Sequence, residues 1–359
     1  ARHDFSKMVS FFFGAAVNLL ALQSPKTDRR PKSSTAESYG KLLGWLDDTF
    51  PDSFVNPSIK IAPSDMMGGH GAFATQDISE GDLLLSIPRE ACITSSVVLN
   101  DEETGKSFQT LMKAAGPGSF TVSLAGYLAK EYLCYIEGQD VLFGPYLATL
   151  PWKRNINGQE HALFWTDDEV EEYLKDSLCY RESADLRAEV KLARRVLNTV
   201  IGPSVLKARG EWEEEKPLIP FLAFTKPPPP AIKDAVSGLG RAVTGAFVIL
   251  LTRAFDDEFD TEIEGEDAEL LIPVLDMLNH NAEPSVTYFT NDRGTVEVKA
   301  RRDIASGEEI YNRYREEEEM KMPYHRFFSR FGFVPGITEP IRNLLSDKSS
   351  IFFAKRREI

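Results

Sequence analysis

Cysteine is nearly absent from this chain. There are three in 359 residues, and Cys92, Cys134 and Cys179 stand too far apart for the paired spacing of a zinc site. They read as reduced, buried thiols, which suits a cytosol, stroma or nucleus better than an oxidising compartment. Histidine is almost as sparse, and its five residues form no cluster, so no metal is expected. A Gly-x-Ser-x-Gly elbow is missing, which leaves a serine hydrolase without support. Positive charge is in deficit: 41 Lys and Arg against 55 Asp and Glu give a net charge of −14. That balance repels a phosphate backbone and excludes general nucleic-acid binding, whereas a basic protein partner fits. Long apolar runs are missing too. The longest candidate, Val9 to Leu22, covers fourteen residues with Ser10 and Asn18 inside it, and rises about 21 Å as a helix against a hydrocarbon core of roughly 30 Å. A transmembrane span is excluded on this length.

Three readings of that segment stay open: the remnant of a targeting peptide, a helix packing on the protein's own surface, or an apolar foot that docks to a membrane-associated or multi-subunit partner. The chain begins at Ala1 with Arg2 and Lys7 ahead of the run, so removal of an upstream segment is expected. Residues 23–37, rich in Ser, Pro, Lys and Arg, read as a flexible linker.

What is present describes a folded chain. The 42% hydrophobic and 27% charged fractions are ordinary for globular proteins, and the length predicts about two lobes. Apolar positions Leu42, Leu43, Trp45, Leu46 and Phe50 recur at helical spacing until Pro51. Residues 58–98 then change period: SIKIAP, GAFATQDI, GDLLLSIP and ACITSSVV are short, β-branched and punctuated by Gly and Pro, which predicts a meander of strands. Helical periodicity returns between 106 and 255, with Thr166 as the N-cap of TDDEVEEYLKDSL, and the four prolines ending at Pro230 mark a solvent-exposed loop. Strands are predicted again in LLIPVL, SVTYFT, TVEVKARRDI and EEIYNRY, before a helix over KMPYHRFFSRF. The fold class is therefore α+β, a β unit of short strands split by a long helical insertion.

Gly68-Gly69-His70-Gly71-Ala72-Phe73-Ala74, followed by Asp77-Ile78, Gly81-Asp82 and Ser86-Ile87-Pro88, resembles the opening motif of SET-domain protein methyltransferases. Pro273 to Asn281, PVLDMLNHN, resembles the Asp-x-x-Asn-His signature of the branch typified by the Rubisco large-subunit lysine methyltransferase, and ARRDIASGEEIYNRY and FSRFGFV resemble the segments after it. In the insertion, Gly144-Pro145-Tyr146-Leu147 with Leu150-Pro151, and Phe164-Trp165-Thr166, resemble the same branch. The likeness covers roughly residues 40–336. It implies a protein-lysine N-methyltransferase using S-adenosylmethionine, acting on a basic or lysine-bearing protein.

Gly69 and Gly71 carry no Cβ and let a backbone approach a ligand, which the resemblance makes S-adenosylmethionine; a plain β-turn is the alternative. His70 lies between them. Asn279 and His280 offer amide and imidazole groups for a polar adenine and amino-acid moiety, or form a structural pair. Arg253 ends an apolar helix, where it either caps the helix or pairs with a cofactor carboxylate, and the resemblance favours the carboxylate. Asp276, expected on a buried strand, needs a partner and reads as a group that orients the site.

The catalytic candidates are Tyr314 and Phe331. Methyl transfer requires a neutral lysine amine, although free lysine has a pKa of about 10.4, so a cation, desolvation and a positioned hydroxyl are needed. In the family the tyrosine of the closing Tyr-Gly-Phe motif supplies that hydroxyl, and here Phe331 stands in its place. Losing one hydrogen bond of about 1–3 kcal/mol slows a step roughly tenfold to a hundredfold. Tyr314 is kept but followed by Arg315 and Glu316 to Glu319, unlike the usual pattern.

The expected organisation is 1–37 apolar segment and linker, 38–105 first SET part, 106–255 helical insertion, 256–336 second SET part, and 337–359 a short tail in place of the usual substrate-binding lobe. The run Asp256 to Glu269 holds nine carboxylates and either attracts a basic target or is a solvated loop. Phe331 and the apolar foot together support an alternative role, a catalytically weakened SET-fold subunit of a larger assembly. A plastid is the preferred location, with the cytoplasm or nucleus as the alternative.

Overall fold

The computed structural model describes residues 35–64, 69–116, 118–154, 160–210, 236–257, 268–314, 324–337 and 341–346. The apolar segment 9–22, the proline-rich stretch, most of the acidic run after Asp257 and the acidic residues after Arg315 lie outside the described residues.

The chain enters through α1, Thr35–Thr49, which buries Leu42 and Leu46 one turn apart and stops before Pro51. Four short strands follow: β1 Phe54–Val55, β2 Ile59–Pro63, β3 His70–Ala74 and β4 Leu83–Ile87. The run ACITSSVV, expected as a strand, departs from that reading. Ala91 ends a 3₁₀ turn, Ile93 keeps a single bridge to Leu271, and from Ser95 the chain becomes helix α2, Ser95–Leu99, because the Thr94 hydroxyl accepts the Val97 N–H at 3.4 Å. An N-cap residue here outweighs β-branched propensity.

Helices fill the next stretch: α3 Gly105–Ala115, α4 Ser119–Ile136, α5 Gly144–Leu147, α6 Asp167–Glu169, α7 Cys179–Ala208 and α8 Leu239–Arg253. α4 packs against α3, α7 and α8 at once, which is why it is apolar nearly all round. Its one buried cation, Lys130, is held by Asp101 at 2.7 Å and Glu131 at 3.1 Å, as a charge inside a core must be. Thr166 and Glu169 close a capping box at α6, as the sequence predicts.

The second strand set is β5 Phe255–Asp256, β6 Glu269–Leu270, β7 Asn279–His280, β8 Val286–Thr290, β9 Val296–Ala300 and β10 Glu309–Asn312, followed by α9 Tyr324–Phe331 and α10 Ile341–Ser346. LLIPVL is mostly not strand. Only Leu270 pairs within β6 and Leu271 within a bridge, because Pro273 offers no N–H and Val274 takes φ +71°, a rare conformation for a buried β-branched residue. Asp276 consequently sits in a 3₁₀ turn, Leu275–Met277, and not on a strand.

The strands form three sheets ordered β1-β4-β9-β8, β2-β3-β10-β7 and β5-β6. The second sheet joins the two halves of the sequence: β10 runs antiparallel to β3, pairing Glu309 with Phe73, and parallel to β7, pairing Tyr311 with Asn279. This pairing brings the segment around His70 beside the segment around His280. Cys92, Cys134 and Cys179 are all free and buried, and burial raises each thiol's pKa. Among the described residues no helix is long and apolar enough to cross a membrane.

Candidate active site

The centre of the second sheet is a buried carboxylate that sequence reading overlooked. Glu309 accepts hydrogen bonds from Ser64 Oγ at 3.0 Å, Tyr311 Oη at 2.9 Å and Asn279 Nδ2 at 2.7 Å. Asn279 Nδ2 also donates to the His70 carbonyl at 3.2 Å. Both protons of the Asn279 amide therefore hold protein, joining β7 to β3 through Glu309. Gly71 explains itself in the same place, since a Cβ there would collide with the Glu309 carboxylate and fall 2.8 Å from Asn279 Nδ2. Its missing side chain makes room for these two residues, whereas a Cβ on Gly69 would meet nothing within 4 Å.

A second cluster forms where the 3₁₀ turn meets the end of α8. Arg253 Nη1 donates to the Asp276 carbonyl at 2.8 Å and to Oδ2 at 3.3 Å, and Tyr146 Oη donates to the same Oδ2 at 2.9 Å. Burial pushes the Asp276 carboxyl upward, with Arg253 and Tyr146 opposing that shift. Its other oxygen, Oδ1, is buried with no partner. Tyr39 of α1 lies in the field of both Arg253 and Asp276, and its ring stands 5.4 Å from that of His70. Tyr146 came from a motif the sequence had marked, and Tyr39 carried no signal beyond its place on a helix.

The third cluster is aromatic. His280 Nδ1 accepts the Tyr314 N–H at 3.2 Å, and Tyr314 Oη donates to the Leu278 carbonyl at 3.1 Å. Burial lowers the His280 pKa to about 4 and raises that of Tyr314 to about 12, so the imidazole is neutral and the phenol keeps its proton. His280 Nε2 is buried without a partner. Phe331, the last residue of α9, has ring centroids 4.8 Å from Phe327, 5.5 Å from Tyr314 and 6.1 Å from Phe333.

Arg253, Asp276, Tyr314 and Phe331 line one cleft, together with Arg313 and Arg330 and the aromatic pair Phe255 and Tyr288. Gly69, His70, Gly71, Asn279 and His280 stand outside its lining, joined to it through the β7–β10 pairing and the Tyr314 bond to His280. Among the described residues the lining carries three arginines, Arg253, Arg313 and Arg330, and two carboxylates, Asp256 and Asp276. Among the described residues no group of His, Cys, Asp and Glu is placed to hold a metal ion.

A strand-built frame interrupted by helices, with its Gly-x-Gly and Asn-His segments drawn together across one sheet, defines a class. The family model of the SET domain matches residues 69–315, more than half of the chain, and the protein belongs to that family. Its relatives include the N-lysine methyltransferase setd6 of Salmo salar, 25% identical over 293 residues that cover 80% of this chain and 56% of that one. Among solved structures, the SET domain of LSMT bound to lysine and AdoHcy superposes with a TM-score of 0.58 at 17% identity, over 84% of this chain and 58% of that one. Rubisco LSMT bound to AdoMet gives 0.57 at 17% identity, over 85% and 57%. At that identity the likeness shows the fold. The chain spans about half the length of the curated relatives it matches.

Proposed function

We propose that the protein is an S-adenosylmethionine-dependent protein-lysine N-methyltransferase. The observation that carries this reading is the convergence of Arg253, Asp276, Tyr314 and Phe331, scattered from 253 to 331, on one cleft of a SET fold. The names of its relatives and the ligands of its structural neighbours support it. The cofactor supplies an electrophilic methyl group on a sulfonium; everything else falls to the chain. The residues fit such a group: Arg253 suits its carboxylate, the unpartnered Oδ1 of Asp276 is an acceptor for an ammonium beside it, and Gly69 leaves room for close approach. Desolvation in the cleft lowers the pKa of an entering lysine, and the protonated Tyr314 phenol offers a hydrogen-bonding group near the aromatic wall.

A second reading rests on one observation, that residue 331 is a phenyl ring packed among Phe327, Phe333 and Tyr314 and brings no hydroxyl to the cleft. In that reading the protein is a catalytically weakened SET-fold subunit of a larger assembly. Docking of residues 9–22 to a membrane-associated partner and a plastid location extend it on sequence grounds. Deleting residues 1–24 should abolish co-purification with such a partner, and unchanged co-purification removes that part.

Calorimetry with S-adenosylmethionine, alongside transfer of labelled methyl to lysine-bearing proteins, separates the readings. Binding with transfer by the natural chain supports the enzyme. Binding with transfer only after Phe331→Tyr supports the weakened subunit, and no binding in either protein overturns both as cofactor-site proposals.

A further inference from the structure

Residue 331 enters the cleft at the last position of α9, where the final backbone carbonyls have no donor within the helix. The carbonyl of Arg330 has one from elsewhere: His161 Nε2 lies 3.1 Å away. The other ring nitrogen of His161, Nδ1, accepts the Leu163 N–H at 3.1 Å. Those partners fix the tautomer, since a nitrogen that faces an N–H must carry a lone pair, leaving the proton on Nε2 to be donated to Arg330. His161 is buried, and burial lowers its pKa to about 4, in keeping with a neutral ring.

The chain after Phe331 rests on the same residue. Gly332 takes φ +77° and turns its α-carbon toward His161, where a Cβ would fall 3.1 Å from both Cα and N. The neighbour of His161 is anchored as well: Glu160 pairs with Arg154, which reaches Glu169 of the α6 capping box at 2.9 Å. Arg330 and Phe331 both line the cleft, while His161 lies behind them.

We infer that His161 is a positioning residue. From the helical insertion it fixes, through the Arg330 carbonyl and the Gly332 turn, how deeply the side chain at 331 reaches into the cleft. The consequence for catalysis rests on the methyltransferase reading above; the positional claim does not.

The test places 4-fluorophenylalanine at position 331 and records its ¹⁹F spectrum in proteins carrying His161, His161→Leu or His161→Gln. Glutamine keeps a donor near the position of Nε2, and leucine removes both ring functions. A single resonance that shifts or splits in His161→Leu and returns toward the natural position in His161→Gln is expected. In the Phe331→Tyr background, His161→Leu should lower kcat about tenfold while S-adenosylmethionine affinity stays within about twofold. An unmoved resonance and unchanged kcat in folded His161→Leu overturn the inference, as does a glutamine variant indistinguishable from leucine. If His161→Leu is not recovered folded, the ¹⁵N shifts of the natural imidazole decide: an Nε2–H tautomer is required, and an Nδ1–H tautomer overturns the assignment. Absence of cofactor binding and transfer in every protein defeats the methyltransferase reading alone, since the fluorine spectrum still reports on His161.

Discussion

The carboxylate of Glu309 occupies the space that a side chain on Gly71 would need. These residues lie on paired strands from opposite halves of the sequence, β10 and β3, and Asn279 closes the arrangement from β7. The Gly-x-Gly segment is thus held by the Asn-His segment through one buried acid.

Gly71→Ala should therefore destabilise the fold, by about 2 kcal/mol or more, because the Glu309 bonds to Ser64, Asn279 and Tyr311 cannot all survive the displacement. Gly69→Ala should leave stability within about 0.5 kcal/mol, having nothing to meet, and weaken cofactor binding instead. Urea unfolding and calorimetry of both variants check the contrast, and equal loss of stability would refute it.

Tyr146→Phe removes the hydroxyl that donates to Asp276 Oδ2 and leaves the ring in place. Asp276 then keeps only Arg253, and a loss of about 1–3 kcal/mol is expected in unfolding measurements. Cofactor affinity should fall with it, because the carboxylate that orients Arg253 is no longer fixed. A variant as stable as the natural protein would mean that Tyr146 is not needed to hold Asp276.

The two neutral buried histidines predict a pH dependence. His161 and His280 each have a folded pKa of about 4, whereas an unfolded histidine titrates near 6.5. Above that value both states are neutral and stability is unaffected by these rings. As pH falls from about 6.5 toward 4 the unfolded chain takes up protons that the fold resists, so stability drops by up to about 1.4 kcal/mol per pH unit for each ring. Unfolding curves between pH 7.5 and 4 should show the decline, and His161→Gln should flatten part of it.

Tyr314→Phe removes a hydroxyl that donates to Leu278 but leaves the ring against Phe331 and the backbone bond to His280. Stability should change by about 1 kcal/mol, and methyl transfer should fall about tenfold or more. Unaltered transfer in single-turnover assays would take Tyr314 out of the chemistry.

Local structure was legible where the cause is local. The helix around Leu42 and Leu46, the Thr166 cap and the alternating strand β9 follow from spacing and capping alone. The strand reading of ACITSSVV failed because Thr94 began a helix within it, and Asp276 left its expected strand because Pro273 and Val274 turn the chain. Glu309 escaped notice although its place on an inward strand position, between Gly307 and Tyr311, marked it as an acid needing partners. The motifs themselves, and with them the family, were readable because their residues are contiguous.

What no local pattern could supply is which motif faces which. Glu309 is 238 positions from Gly71, Tyr146 is 130 from Asp276 and His161 is 169 from Arg330. Each contact exists because sheet pairing and helix packing bury both partners, and a buried donor or acceptor must find its complement wherever the fold has brought one. The amino-acid sequence determined the segments and their chemistry. The tertiary structure decided that Gly71 yields its space to an acid, that Asp276 is shared by a tyrosine and an arginine, and that an imidazole from the helical insertion holds the turn on which Phe331 is carried.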